Sequence, residues 1–279
     1  MIRWLAYPLI VTGAVALTWV LQGRGVWPEL AVALTVVAVS VVINVLERTR
    51  PYAPRWNVPR GDTTPDTLHL VFSTLAVYAL FQLAVVQLGF TGLGLWPDTW
   101  PLLLQLALAI LLAEPGAWLV HWLMHNTRPL WRLHLLHHSA RRLYSLNASR
   151  NHPLDTLAVL LAAVTPLLVL GAGPRVLALL GAFALAHLSV QHANIDLRLG
   201  PLNWLVAGPE LHRWHHSRLP VEANHNYGHL LIVWDVVFRT RLLPADRAPP
   251  IEPGLFDREG LAENFGYHLA TPFITRLFR

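Results

Sequence analysis

Four apolar runs decide what this chain can fold into. Residues 4–21, 28–46, 68–96 and 100–120 each approach or exceed the ~20 residues that cross bilayer hydrocarbon. Inside hydrocarbon, backbone polar groups must bond within the segment, so runs of this length are expected to be helices. Only 13% of the 279 residues are charged and 54% are hydrophobic, against roughly 25% charged in a soluble domain. The expected fold is therefore all-α, a polytopic membrane helical bundle. The first run has a rival reading as a secretory signal peptide. Its apolar part continues through LTWVLQ without a convincing small-residue cleavage site, so it is read as an uncleaved span.

The chain has no cysteine, which excludes thiolate metal sites and disulfides. Any metal must be held by His, carboxylate or amide. All the basic residues are Arg, and the formal charge is +5. These arginines flank the apolar runs, so they read as topology signals and not as a nucleic-acid surface. Arg48, Arg50, Arg55 and Arg60 follow the second run, against Arg24 alone after the first. Residues 47–60 are thus expected on the cytoplasmic side, and the chain returns there at His121 and His125. Arg128, Arg132, Arg141, Arg142 and Arg150 agree with that placement. Residues 154–170 and 177–190, joined by GAGP, form either a tight two-span hairpin or a partly re-entrant one. Residues 191–279 read as largely non-spanning, with RAPPIEPG as a loop and the last helix-like stretch lying at the interface.

Five of the 15 histidines fall within residues 121–138. HWLMH places His121 and His125 at i, i+4, and HLLHH places His134, His137 and His138 at i, i+3, i+4. HRWHH repeats the second spacing with His212, His215 and His216. Residues three and four apart share a helix face, so each group presents its imidazoles in one direction. Imidazole suits iron, zinc and copper near neutral pH. Eight such ligands exceed what one metal uses, which points to two. Solvated interfacial histidines need no helical registration, so that plainer reading fits less well.

The sequence resembles the fatty acid hydroxylase and sterol desaturase superfamily of membrane di-iron oxygenases. Besides the three histidine boxes, LWRLHLLHHSARRLYSLNASRNHPLD, VQHANIDLRLGPLNW and PELHRWHHSRLPVEANHNYGHLLIVWDVVFRT are similar to family segments. The likeness covers about residues 110–240. It divides the chain into an N-terminal pair of spans with its loop (1–60), a histidine-box catalytic domain (61–245) and a C-terminal interfacial segment (246–279). It implies that His192 is a further ligand, and that His152 either ligates or hydrogen-bonds a ligand. His187 lies five residues before His192, about 140° round a regular helix, so both ligate only if the helix breaks or they serve different metals. Glu114, seven residues before His121 where the family often has Asp, is expected to bond a ligand imidazole from behind. Asp155, Asn194 and Asp235 are weaker candidates for the same role. His225 and His229 read as cap residues, and His69 and His268 as incidental. Trp118, Trp122, Trp131 and Trp214 line a lipid cavity or belong to an interfacial belt. One departure stands out: Phe238-Arg239-Thr240 replaces the Phe-Gly-Thr of many members.

The resemblance implies two iron ions, with zinc able to replace them on purification, and O₂ as cosubstrate. The implied reaction is hydroxylation, or desaturation, of a membrane lipid such as a fatty acyl chain or sterol. No stretch is left over for a haem-binding domain, so a separate ferredoxin- or cytochrome-type electron donor is expected. The expected location is a bacterial inner membrane, with a histidine-rich cap and its dinuclear site on the cytoplasmic side. A histidine-rich metal transporter and a non-catalytic metal-binding membrane protein are the alternatives from other classes. Nothing in the chain specifies an oligomeric state.

Overall fold

Residues 2–89, 91–257 and 260–274 are described by a computed structural model. Among the described residues, six helices are long and apolar enough to cross a membrane: α1 (Ile2–Gly23), α2 (Pro28–Thr49), α3 (Thr63–Gln87), α4 (Leu102–Asn126), α6 (Pro153–Leu170) and α7 (Pro174–His192). Between them lies α5 (Arg128–His138), and the cap adds α8 (Pro209–His215), α9 (Val233–Val237) and α10 (Phe265–Ala270). Among the described residues, β structure is limited to isolated bridges at Val206–Leu231 and Ser217–Pro253. Several starts carry the same local signal. Proline opens α2, α6, α7 and α8, where its fixed φ suits the first turn and its missing N–H is not needed.

The third apolar run is not one helix through Trp96. α3 starts earlier, at Thr63, passes through a π-helical turn at Leu70–Leu75 and stops at Gln87. Gly92 then takes a left-handed φ of +70°, and a side chain there would collide with the Leu168 carbonyl. The returning segment donates Leu93 N–H to Val169 O at 2.8 Å and Leu95 N–H to Leu170 O at 3.0 Å. These bonds satisfy carbonyls that the end of α6 leaves open. The remaining apolar residues of that run thus close the far end of α6, and α6 and α7 form the tight two-helix hairpin.

α4 packs most extensively on α6, and α1 and α2 both pack on α7. Gly116 permits the first contact, because a Cβ there would run into the Ala162 carbonyl. Small residues allow such close approach where lipid offers helices no hydrophobic incentive to associate. α1 is tied in by Tyr7, whose hydroxyl meets His187 Nδ1 at 2.7 Å, and by the buried Thr18–Thr35 hydroxyl pair at 2.8 Å. The outward faces carry exposed Leu9, Val37, Leu80 and Leu111, as lipid-facing helices require.

Two arginines counted as topology signals have another task. Arg142 makes a two-pronged pair with Asp62 (2.6 and 2.7 Å), and Arg150 bonds Asp66 at 2.6 Å and Glu263 at 2.8 Å. The Tyr144 hydroxyl also donates to Asp66. Both guanidiniums are buried, so they lock the base of the cap to the start of α3 instead of facing the membrane surface. Losing one partner of a buried pair typically costs about 3–5 kcal/mol. His69 and His268 are not incidental either. Both are fully buried and meet at 3.1 Å, docking α10 on α3. The far C-terminus, residues 275–279, lies outside the described residues.

Candidate metal centre

The site is assembled where four helix ends meet. α4 delivers His121 and His125 from its last turns. A break at Thr127 re-aims the chain into α5, whose C-terminal turns carry His134, His137 and His138. α7 ends on His192, and α8 supplies His212, His215 and, at its cap, His216. These nine imidazoles sort into two groups, each with its nitrogens within 4.8 Å of one another. One holds His121, His125, His134, His138 and His215; the other holds His137, His192, His212 and His216. The i, i+3, i+4 spacing explains the sorting. In α5 and in α8 with its cap, one box feeds both groups.

The orientation of the rings separates this site from a packed histidine cluster. His121 Nδ1 donates to the Tyr227 carbonyl at 2.7 Å, and His215 Nδ1 donates to the His225 carbonyl at 2.8 Å. His134 Nδ1 bonds Asp155 at 2.8 Å, and His125 Nδ1 meets Asn224 Oδ1 at 3.1 Å. A carbonyl accepts only, so the proton is fixed on the outer nitrogen and the Nε2 lone pair points inward. That is the arrangement of a metal-ligating imidazole. In the second group, His212 Nε2 lies 2.9 Å from His192 Nε2 and 3.1 Å from His216 Nε2, which is 3.1 Å from His137 Nε2. The inward Nε2 atoms of His125, His138 and His215 are buried without a hydrogen-bond partner. Converging lone pairs repel unless a cation lies among them, so the residues fit two metal ions.

Burial also favours the neutral form of these imidazoles. It lowers His134 to about 3 and drives His137, His138, His212, His215 and His216 well below the usual imidazole value, with neighbouring imidazoles adding to the effect. Neutral imidazole is the ligating form. An all-nitrogen, thiolate-free donor set suits iron or zinc.

His152 and His187 fall outside both groups. The His152 ring caps α6 by accepting from Leu154 N–H, and its other nitrogen meets the Leu269 carbonyl. The regular turn of α7 points His187 to Tyr7, while His192 at the helix end joins the second group. Of the four expected supporting residues, Asp155 contacts one of the converging imidazoles, His134, directly. Glu114 is fully buried but accepts the backbone N–H groups of His229 and Leu230 at 2.8 and 2.7 Å. Asp235 accepts those of Tyr227 and Gly228 at 2.9 and 2.7 Å. Both carboxylates therefore hold the 227–230 segment whose Tyr227 carbonyl fixes His121, one step further from the converging imidazoles than expected. Asn194 bonds Ala53 and Asn57 and braces the loop after α2.

The sequence reading missed two residues. Asn147 Oδ1 meets His192 Nδ1 at 2.9 Å, while the Asn147 side-chain N–H donates to the Arg142 carbonyl. Its one available signal was a position inside the LNASRNHP segment. His229, read as a cap residue, sets its ring edge-on to His121 with centroids 5.5 Å apart. Of the four tryptophans, Trp118 and Trp122 stack on each other beside the first group, and Trp131 packs on His125 and His138. Trp214 is buried behind α8, under the Arg247 guanidinium.

Comparison with known proteins agrees with this geometry. The fatty acid hydroxylase family matches residues 106–240, which contain all nine converging histidines. An ornithine lipid hydroxylase of Rhizobium tropici is 35% identical over 242 residues, covering 83% of this chain and 72% of that protein. Alkylglycerol monooxygenases of Xenopus tropicalis and Caenorhabditis elegans match shorter stretches. They are 39% and 36% identical over 67 and 62 residues, which is 24% and 22% of this chain and 15% and 12% of theirs. No solved structure matches. The chain belongs to the fatty acid hydroxylase family, within the fatty acid hydroxylase and sterol desaturase superfamily, and is an integral-membrane oxidoreductase.

Proposed function

We propose that this protein hydroxylates a membrane lipid with O₂ at a di-iron centre held by His121, His125, His134, His138 and His215 on one side and His137, His192, His212 and His216 on the other. The observation that carries this reading is the convergence of nine imidazoles in two groups that share helices. Two iron ions, when bound, supply the oxidising power that no side chain has for an unactivated C–H bond. The chain's own part is to position and to exclude water. Asp155, Asn147 and the Tyr227 and His225 carbonyls fix the rings. Burial of α5 and α8 keeps bulk water from the centre. The names of the relatives, an ornithine lipid hydroxylase and an alkylglycerol monooxygenase, support a lipid substrate.

The arginine-flanked loops support a cytoplasmic position for the centre, where a separate ferredoxin- or cytochrome-type protein delivers electrons. A transporter would string ionisable groups along a path through the spans, whereas these imidazoles gather at one end of the bundle. The test is mass spectrometry of lipids from host cells with the protein, without it, and with His137→Ala. Hydroxylation adds one oxygen atom to a lipid only in the first case. A lipid that instead loses two hydrogens reassigns the reaction to desaturation, and an unchanged lipid profile under good expression and electron supply contradicts the proposal.

A further inference from the structure

The departure at Arg239 acquires a meaning from the backbone. Arg239 sits at φ +59°, in the left-handed region where glycine is at ease and a side chain is strained. The turn that glycine would favour is thus retained with arginine in its place. Bonds to Asp235 hold it: Thr240 N–H and Arg241 N–H both donate to the Asp235 carbonyl, at 2.8 and 3.1 Å. The same Asp235 side chain holds Tyr227 and Gly228, so the turn is rigidly coupled to the wall of the metal centre. A strained residue that the surroundings hold in place is a mark of a functional position.

What surrounds Arg239 indicates the function. Its neighbour Phe238 is 56% exposed yet stacks on Trp118 with centroids 4.7 Å apart. Trp118 in turn stacks on Trp122 and meets Tyr227 edge-on at 6.4 Å. Tyr227 packs against His121, His125 and His215, at 5.9, 5.2 and 6.0 Å. An aromatic ledge, exposed at Phe238 and buried at Trp118 and Tyr227, therefore runs from the surface to the five-histidine group. Around its outer end Val233, Val236 and Val237 are exposed, with Trp204 and Leu205 from the preceding loop. An apolar, Trp-bearing surface outside the spans belongs at the level of the lipid head groups. Arg241, two residues on, is occupied: its guanidinium covers the Trp204 ring and donates to the Asn203 carbonyl. Arg239 is exposed and directly follows Phe238, the exposed ring of the ledge.

We propose that Arg239 anchors the anionic group of the lipid substrate's head, a carboxylate or phosphate, while the chain lies over exposed Phe238, at the outer end of the ledge that leads to the five-histidine group. This rests on the lipid-oxidation reading for what happens next, but the binding step stands by itself. A guanidinium suits either oxyanion through paired, charge-assisted N–H donors. It selects lipids by head-group charge at a place where the apolar ledge cannot.

The test uses the full-length metal-loaded protein and two probes that differ in charge and by one methyl group, N-oleoylglycine and its methyl ester, with native mass spectrometry reading bound lipid. Arg239→Gly is a clean variant, because glycine relieves the backbone strain and the turn keeps its Asp235 bonds. Wild type is expected to bind the acid about tenfold more tightly than the ester, the effect of one charge-assisted contact. Arg239→Gly is expected to bind both alike, at the wild-type ester affinity and with unchanged or higher melting temperature. Arg239→Lys keeps part of the preference. Dioleoylphosphatidylglycerol, run in the same way, shows whether phosphate is accepted as well as carboxylate. A wild type without preference for the acid, or an Arg239→Gly protein that retains the preference, overturns the proposal. Because turnover is not the readout, a protein that binds the acid through Arg239 but oxidises no lipid contradicts the enzymatic reading and leaves the anchor standing.

Discussion

The two histidine groups are built from the same kind of residue but are held in place differently. In the five-membered group, four rings have their outer nitrogens fixed, by Tyr227, Asn224, Asp155 and His225. In the four-membered group, His192 is fixed by Asn147, whereas the outer nitrogens of His137, His212 and His216 are buried without a bond. Rings already bonded from behind lose less freedom on binding metal, and their basicity is raised. The first group is thus the prearranged subsite, and the second depends more on the ion itself. Metal is expected to leave the four-histidine group first under chelation.

Removing a ligand has the largest expected effect. His138→Ala and His212→Ala strike one group each; lipid oxidation falls below detection in both, and elemental analysis reads about one metal per chain in place of two. If either variant keeps both metals and full activity, its ring does not ligate. Next is Gly116→Leu, which pushes α4 off the Ala162 backbone. Overpacking of this kind costs about 1–3 kcal/mol or more, read as a lower melting temperature. Because α4 carries ligands of the five-histidine group alone, metal loss there should exceed loss from the other. Equal loss would mean that the two groups are not mechanically separate.

Smaller effects sharpen the contrast. Loss of a hydrogen-bond partner behind a ligand typically weakens metal binding about 10–100-fold. Asn147→Ala strips the four-histidine group of its one anchor and should fall at the upper end. Asp155→Ala leaves three anchored rings and should fall at the lower end. Titrating each variant with metal and a chelator orders them, and the reverse order contradicts the prearrangement argument. The gentlest probe is pH. Burial holds His134 near 3 and His229 near 4 when folded, below the ~6.5 of an exposed imidazole. The unfolded chain therefore takes up more protons as pH falls below ~6.5, so stability present above that value is lost on acidification. The melting temperature of metal-free protein should fall between pH 7 and pH 5. A flat profile would mean that the rings are solvated.

Much of this was legible beforehand because it is written in local spacing. The apolar runs located the spans, and the i, i+3, i+4 boxes gave eight of the nine converging rings; the likeness to the family added His192. What was not legible depends on tertiary placement. The return of the chain after α3 depends on Gly92, whose value is its contact with Leu168 on another helix. Asn147 and Tyr7 find His192 and His187 only once α7 is packed. Glu114 sits on the expected face, but a backbone loop, invisible to helical periodicity, comes between it and the ligands. Arg239 was visible as a departure, and only its φ reveals that the turn survived the replacement.

The central claim, that the paired histidine groups direct oxygen from O₂ into a lipid, is tested most directly by isotope. Cells or proteoliposomes supplied with an electron donor are incubated under oxygen-18 gas, and in parallel in oxygen-18 water. The account predicts one heavy oxygen atom in the lipid product from the gas and none from the water, with neither label in His138→Ala. Label arriving from water, or equal incorporation by the variant, would contradict it.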